Sequence, residues 1–224
     1  MSQPASGPAT DALVFAGGDP PPEAVASLLA DGAFVIAADS GLHHARALGR
    51  HVDLVVGDLD SVDPVALADA EAAGTDVERH PAQKGASDLE LALEAAQARG
   101  ARRITVVGGH GGRVDHFLAN ALLLASSRFA DSEIDAWIGS ALITVIRSRT
   151  ELHGTAGSLC TLLAVGGVAR GVTTSGLLYP LDDDELLPGS TRGVSNELTE
   201  STASVAIRAG ALLAVQPHAL EDLT

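Results

Sequence analysis

The sequence predicts an α/β fold. It is an N-terminal open, mostly parallel sheet with helices on both faces, followed by a C-terminal all-β sandwich domain. Three observations predict it. Short apolar runs alternate with helix-period segments through the first 130 or so residues. Those runs are continuously apolar rather than alternating, which marks strands buried on both faces of a parallel sheet. Beyond about residue 133 the helical period stops, and short runs recur between glycines, as in an all-β unit.

The elements follow in order. Residues 1–11 read as a frayed tail. Ala12–Ala16 is a strand, broken by Gly17-Gly18-Asp19 and three prolines, and Pro22–Ala30 has helical spacing. Phe34–Ala38 is a strand, Gly41–Leu48 a helix ending at Gly49, Asp53–Val56 a strand, and Val65–Ala73 a helix stopping at Gly74. Ser87–Arg99 is the clearest helix, with Ser87 and Glu90 as a capping box, a stripe of Leu89, Ala92, Leu93 and Ala96, and Gly100 after its end. Ile104–Val107 is a strand and Asp115–Ser126 a helix. The α/β domain is placed at 12–132 and the β domain at 133–224, with strands at 141–146, 158–165, 171–174, 201–208 and 211–215. Arg208-Ala209-Gly210 reads as a hairpin turn between the last two.

The chain has 224 residues, enough to bury a core in one large domain or two small ones. Its formal charge of −15 argues against a nucleic-acid binder, because such a surface repels a phosphate backbone. No apolar run is long enough to span a membrane, and no basic, apolar leader opens the chain, so a cytoplasmic location is expected. A single cysteine, Cys160, leaves no internal disulfide.

Open parallel sheets bind ligands beyond the carboxyl ends of their strands. At those positions stand Gly17-Gly18-Asp19, Asp39-Ser40-Gly41, Asp58-Leu59-Asp60-Ser61 and Gly108–Arg113, with Asp88 opening a helix aimed the same way. Asp58 and Asp60 are two residues apart, so an extended segment puts both on one face. Two such carboxylates repel unless a cation lies between them, and Mg²⁺ suits hard oxygen ligands. The alternative is a polar turn capping the helix near Asp63-Pro64. Asp39 could instead cap its helix, and Asp88 could serve the helix dipole. His43 and His44 read as surface or supporting residues. The GGHGGRVD stretch lacks the Gly-Lys-Ser/Thr of a phosphate-binding P-loop, yet offers free N–H groups and Arg113 to an anion. It is otherwise a glycine loop with Asp115 as a cap. Tyr179 and Trp137 read as core by default, and Asp182–Glu185 as a solvated acidic loop.

Taken together, six segments resemble a known family. They are Asp39-Ser40-Gly41, Asp53 through Ser61, Lys84 with Ser87-Asp88-Leu89-Glu90, Gly111 through His116 with Asn120, Gly176 through Leu181, and Ser195-Asn196-Glu197. Their order and content resemble thiamine pyrophosphokinases from about Ala12 to Gln216. The resemblance implies ATP-dependent transfer of a pyrophosphoryl group to the hydroxyl of thiamine, giving thiamine diphosphate and AMP. It implies a catalytic α/β domain, a thiamine-binding β-sandwich, and a homodimer with intersubunit active sites. It places Asp39, Asp58, Asp60 and Asp88 around Mg²⁺, with Asp58, Asp60, Asp88 and Asp115 catalytic. It assigns ATP to Asp39, Lys84, Ser87, Gly111, Gly112, Arg113 and Asn120, and thiamine to Asp115, Tyr179, Ser195 and Asn196. One departure stands out: the family commonly has Asp where this chain has Gly85. Two rival readings remain beside it, a Mg²⁺-dependent pyrophosphohydrolase using water as acceptor and a non-catalytic nucleotide or thiamine binder of the same fold.

Overall fold

The computed structural model describes residues 10–83 and 85–224, so the expected tail through residue 9 and Lys84 lie outside the described residues. The chain forms two compact units. One runs through Phe117 and takes up Asp131–Ile134; the other comprises Leu118–Ala130 and Asp135–Thr224.

In the first unit, β1 (Thr10–Phe15), β2 (Phe34–Ala38), β3 (Leu54–Gly57), β4 (Asp76–Arg79) and β5 (Ala101–Val107) form a sheet ordered β5-β1-β2-β3-β4. Every pairing among them is parallel, with Leu13 opposite both Val35 and Thr105. The expected tail gives way early, because Thr10 and Asp11 already belong to β1 and Asp11 makes a two-pronged ion pair with Arg103. Crossovers run through α1 (Gly41–Ala47), α2 (Pro64–Ala72) and α3 (Asp88–Ala98). The segment expected as a helix over Pro22–Ala30 is a tighter 3-10 helix, Glu23–Leu28, tied off by Arg50 donating to the Ala26 and Leu29 carbonyls. The strand order climbs from β1 to β4 and then returns across β1 to β5. That return makes the β1/β5 boundary a switch point, and α3 packs on β1, β2, β3 and β5.

Local rules explain the helix starts. Asp63 accepts from Val65 N and Ala66 N and precedes Pro64, so α2 begins as a capped, proline-led helix. Ser87 accepts from Glu90 N at the start of α3. The α3 stripe then buries Leu89, Ala92, Leu93 and Ala96. β1 to β3 bury almost everything, as continuous apolarity requires. β4, by contrast, is a charged edge strand that the sequence pattern does not reveal.

α4 (Val114–Leu124) gives its first residues to the first unit and the rest to the second. Nine strands follow among the described residues, all in the second unit except for Glu133 and Ile134, which open the first of them. They are β6 (Glu133–Ile138), β7 (Ala141–Ile146), β8 (Arg149–His153), β9 (Leu159–Ala164), β10 (Ala169–Ser175), β11 (Asp184–Leu186), β12 (Asn196–Glu197), β13 (Thr202–Ala206) and β14 (Leu212–Gln216). They divide into the antiparallel sets β12-β9-β14-β7-β6 and β11-β10-β13-β8. One apolar cluster includes Ile146, Leu152 and Val205 with Cys160, Leu162 and Leu212 from the two sets. A sandwich follows.

Three expectations for this half need correction. Arg208-Ala209-Gly210 is not a hairpin: β13 pairs with β8 and β10, β14 with β7 and β9, so the turn carries the chain between sheets. Asp182–Glu185 is not merely a solvated loop. Asp184 opens β11, and Asp183, Asp184 and Glu185 pair with Arg208, Arg192 and Arg170. The half is also not free of helix, since α5 (Ala219–Leu223) closes the chain. Trp137 is core, as expected.

Leu93 is fully buried under the parallel sheet, so Leu93→Ala is expected to lower the unfolding free energy by about 2–5 kcal/mol. A urea titration checks this, with the midpoint falling and the slope unchanged.

Candidate active site

The carboxyl ends of β2 and β3 converge on a cluster of carboxylates. Asp39, Asp58 and Asp60 each bring an oxygen to within 4.8 Å of the others. Asp88 joins them from the start of α3: a Cβ built on Gly57 would lie 3.0 Å from its Oδ1 and 3.3 Å from the Asp39 Cβ. Gly57 ends β3 at φ 149°, and its missing side chain is what lets two carboxylates approach the strand end.

The geometry differs from the extended segment expected for Asp58–Asp60. Leu59 sits at φ 62°, and Asp60 N bends back to Asp58 Oδ1 at 3.3 Å. A local turn, not strand alternation, brings the pair together. Asp39 also lies in the left-handed region, at φ 49°. Non-glycine residues rarely adopt this conformation, and it concentrates at functional sites. Among the described residues only Asp39, Leu59, Asp183 and Ser195 do so, three of them within the expected site segments. Leu59 is therefore a contributor that the sequence reading passed over. No side-chain type signals that backbone state.

Asp39 does not cap α1. Its N-cap is Ser40, with no side-chain cap bond. Instead the Asp39 Oδ1 is buried with no hydrogen-bond partner among the described residues. Burial raises the Asp39 pKa above the ordinary carboxylate range; the Ser40 N–H works against this, and Asp88, Asp58 and Asp60 add to the rise. An orphaned oxygen among crowded carboxylates fits a hard divalent cation, which takes oxygen ligands only. The alternative role for Asp58 and Asp60, a turn capping the helix near Asp63-Pro64, is filled by Asp63 itself, which caps α2.

The β1/β5 switch point is built from two glycine loops bonded to each other. Asp19 N donates to His110 O at 2.7 Å and Gly109 N to Gly17 O at 3.0 Å. Gly18, at φ 116°, faces the His110 carbonyl so closely that any side chain would collide with it. These glycines thus serve backbone crossing as well as any anion. His44 supports the crossing from below. It is buried rather than on the surface, and its Nδ1 donates to Ala16 O at 2.9 Å. His43 Nε2 accepts from Asp63 N at 3.3 Å.

Arg113 and Asp115 close on each other, with Nε to Oδ1 at 2.9 Å and Nη2 to Oδ2 at 2.6 Å. The guanidinium holds the Asp115 carboxyl well below the usual carboxylate range. Both side chains are exposed. Ser87 lies at the start of α3, Gly111 and Gly112 lie in the loop before α4, and Asn120 lies on α4.

In the second unit Tyr179 is 65% exposed, contrary to its default as core. Ser195, at φ 57°, donates its N–H to Thr161 Oγ1 at 3.0 Å. Asn196 is buried; its Oδ1 accepts from Tyr179 N at 3.0 Å and its Nδ2 donates to Tyr179 O at 2.8 Å.

A parallel sheet with a carboxylate cluster at its strand ends, in a chain that also holds an all-β unit, defines the class of α/β proteins that place ligands beyond the carboxyl ends of their strands. Comparison with known proteins makes this specific. The family model "Thiamin pyrophosphokinase, catalytic domain" matches residues 25–137, and "Thiamin pyrophosphokinase, vitamin B1 binding domain" matches residues 144–212. A thiamine pyrophosphokinase of Bacillus subtilis is 26% identical over 179 residues, covering 71% of this chain and 76% of the relative. The crystal structure of a Bacillus subtilis thiamine pyrophosphokinase shares the fold, with a TM-score of 0.80 at 24% identity over 92% of this chain and 98% of that one. The thiamin pyrophosphokinase of Geobacillus thermodenitrificans has a TM-score of 0.77 at 26% identity, over 92% and 97%. The chain belongs to the thiamine pyrophosphokinase family, whose members are enzymes of thiamine pyrophosphorylation.

Asp39 yields a test of the cluster. A carboxyl whose pKa is raised on folding binds more protons in the native state, so its contribution to stability falls as pH rises from the unfolded to the folded pKa. At neutral pH the ionised group is therefore destabilising. Asp39→Asn is expected to raise the thermal midpoint of metal-free protein by a few degrees at neutral pH, with the gain shrinking toward low pH. Calorimetry across pH in chelator checks this; an equal gain at every pH would remove the electrostatic account.

Proposed function

We propose that this chain transfers the terminal pyrophosphoryl group of ATP to the hydroxyethyl oxygen of thiamine. The observation that carries the reading is the convergence of Asp39, Asp58 and Asp60 at the strand ends of a chain in this family. In the step, a bond forms between the thiamine oxygen and the β-phosphorus. The bridge between the α- and β-phosphates breaks, AMP leaves with the bridging oxygen, and the hydroxyl proton is released. Asp39, Asp58, Asp60 and Asp88 would hold Mg²⁺. The bound ion would neutralise charge on the phosphate oxygens.

The chain's own residues supply alignment. The N–H groups of Gly111 and Gly112 and the Arg113 guanidinium are suited to phosphate oxygens. The Ser87 oxygen already accepts from Glu90 N, so its O–H remains to donate. Lys84 and Asn120 complete the proposed ATP set. Asp115, kept ionised by Arg113, serves as an acceptor that orients the thiamine hydroxyl; so depressed a carboxylate has little affinity for a proton near neutral pH. Tyr179, exposed and aromatic, is the proposed platform for the pyrimidine ring, with Ser195 and Asn196 beside it.

A homodimer and a cytoplasmic location remain part of the proposal. Sedimentation velocity tests the first. Among the described residues no helix is long and apolar enough to cross a membrane.

Three outcomes are expected. With ATP and Mg²⁺, AMP and thiamine diphosphate form in equal amounts and only when thiamine is present; AMP without thiamine points to a hydrolase, and thiamine binding with no AMP to a non-catalytic binder. Asp58→Asn loses turnover while its circular dichroism stays native, and normal activity in that variant removes the metal-site reading. A Cβ at Gly85 meets nothing within 4 Å, and by resemblance the family commonly has Asp there, so Gly85→Asp is expected to lower the Mg²⁺ concentration for half-maximal rate several-fold, as added ligand charge tightens a hard-cation site.

A further inference from the structure

We infer that Asn196 is a positioning residue that sets the backbone of Tyr179, rather than a group that touches thiamine. The inference rests on the proposed role of Tyr179 as the thiamine platform.

The argument is one of hydrogen-bond capacity. A carboxamide oxygen has two lone pairs. Asn196 Oδ1 spends both, accepting from Tyr179 N at 3.0 Å and from Glu197 N at 2.9 Å. Its Nδ2 donates to Tyr179 O at 2.8 Å, and the residue is only 5% exposed. The amide thus binds both polar groups of the Tyr179 backbone at once, leaving no acceptor and little accessible surface for a ligand.

The surrounding pairing shows why a side chain is needed there. Leu177 bridges Leu198, and Leu178 N donates to Glu197 O at 2.9 Å, so the segment before Tyr179 runs antiparallel beside the chain after Asn196. At Tyr179 the partner becomes the Asn196 side chain, while the Asn196 backbone pairs with Cys160 of β9. The Asn196 side chain stands in for the missing strand, one residue before Pro180, which has no N–H to continue a ladder. The ring of Tyr179 projects into solvent from a backbone fixed on both sides. Fixing it in advance reduces the entropy that ligand binding would otherwise have to overcome.

The test is a double-mutant cycle on the full chain, with thiamine and ATP varied separately. Asn196→Ala is expected to raise the KM for thiamine about tenfold while kcat and the KM for ATP stay within about twofold. Tyr179 is the only tyrosine, so its near-UV circular dichroism should weaken in the same variant. Asn196→Asp keeps the acceptor for Tyr179 N but sets a buried carboxylate oxygen against Tyr179 O; it too should raise the KM for thiamine, and it carries the test if the alanine variant does not fold. In a Tyr179→Ala background, adding Asn196→Ala should change the KM for thiamine by less than about twofold. Additive effects would overturn the inference, because they mean that Asn196 meets thiamine itself. So would a raised KM in Tyr179→Ala with none in Asn196→Ala, which leaves the platform reading standing. An unchanged KM in Tyr179→Ala brings down the platform reading, and this inference with it.

Discussion

Mutual repulsion among carboxylates is the constraint around which the first unit is arranged. Asp39, Asp58 and Asp60 would separate if they were free, and Asp88 adds to the repulsion. They stay together because they are anchored to three rigid parts: Asp39 at the end of β2, Asp58 and Asp60 in the turn after β3, and Asp88 at the first residue of α3. The apolar strands beneath supply the rigidity, and the left-handed residues Asp39 and Leu59 turn the side chains inward at a conformational cost. The cluster thus carries a repulsion that a proton or a bound cation would relieve.

The two units solve the problem of presenting polar chemistry by opposite means. In the first, helix starts and strand ends do the aiming, because every parallel strand finishes at the same edge. In the second, antiparallel strands have no common edge of that kind. There a side-chain amide and a hydroxyl fix the backbone, Asn196 at Tyr179 and Thr161 at Ser195. The arginines of this unit do related work: Arg170, Arg192 and Arg208 tie down the acidic segment that opens β11.

Most of the first unit was legible in the sequence, because its strands are continuous apolar runs and its helices carry recognisable caps. β4 was not, since Asp76-Val77-Glu78-Arg79 offers one apolar residue in four. β8 was missed for the same reason, with Leu152 alone buried in Arg149–His153. The Arg208–Gly210 turn has hairpin composition, yet pairing partners far away in sequence decide which strands it joins. For the carboxylate cluster, the gathering of Asp39, Asp58, Asp60 and Asp88 was readable while the means of convergence was not. The sequence pattern suggested extended alternation for Asp58 and Asp60, and a turn through Leu59 does the work instead. Burial ran both ways: Tyr179 is exposed and His44 is buried, because neither fate is set by residue type alone.

The charged composition that hid β4 has a consequence of its own. β4 ends the strand order, so among the described residues one rim of the parallel sheet has no neighbouring strand to pair its N–H and C=O groups. Such rims recruit strands from other molecules unless charge discourages them. Here Asp76, Glu78 and Arg79 line the rim, and Arg79 and His80 are engaged by Glu71 and Glu78. A neighbouring chain adding a strand would have to desolvate these groups. These charges thus act locally, setting a desolvation cost against any strand that would extend the sheet.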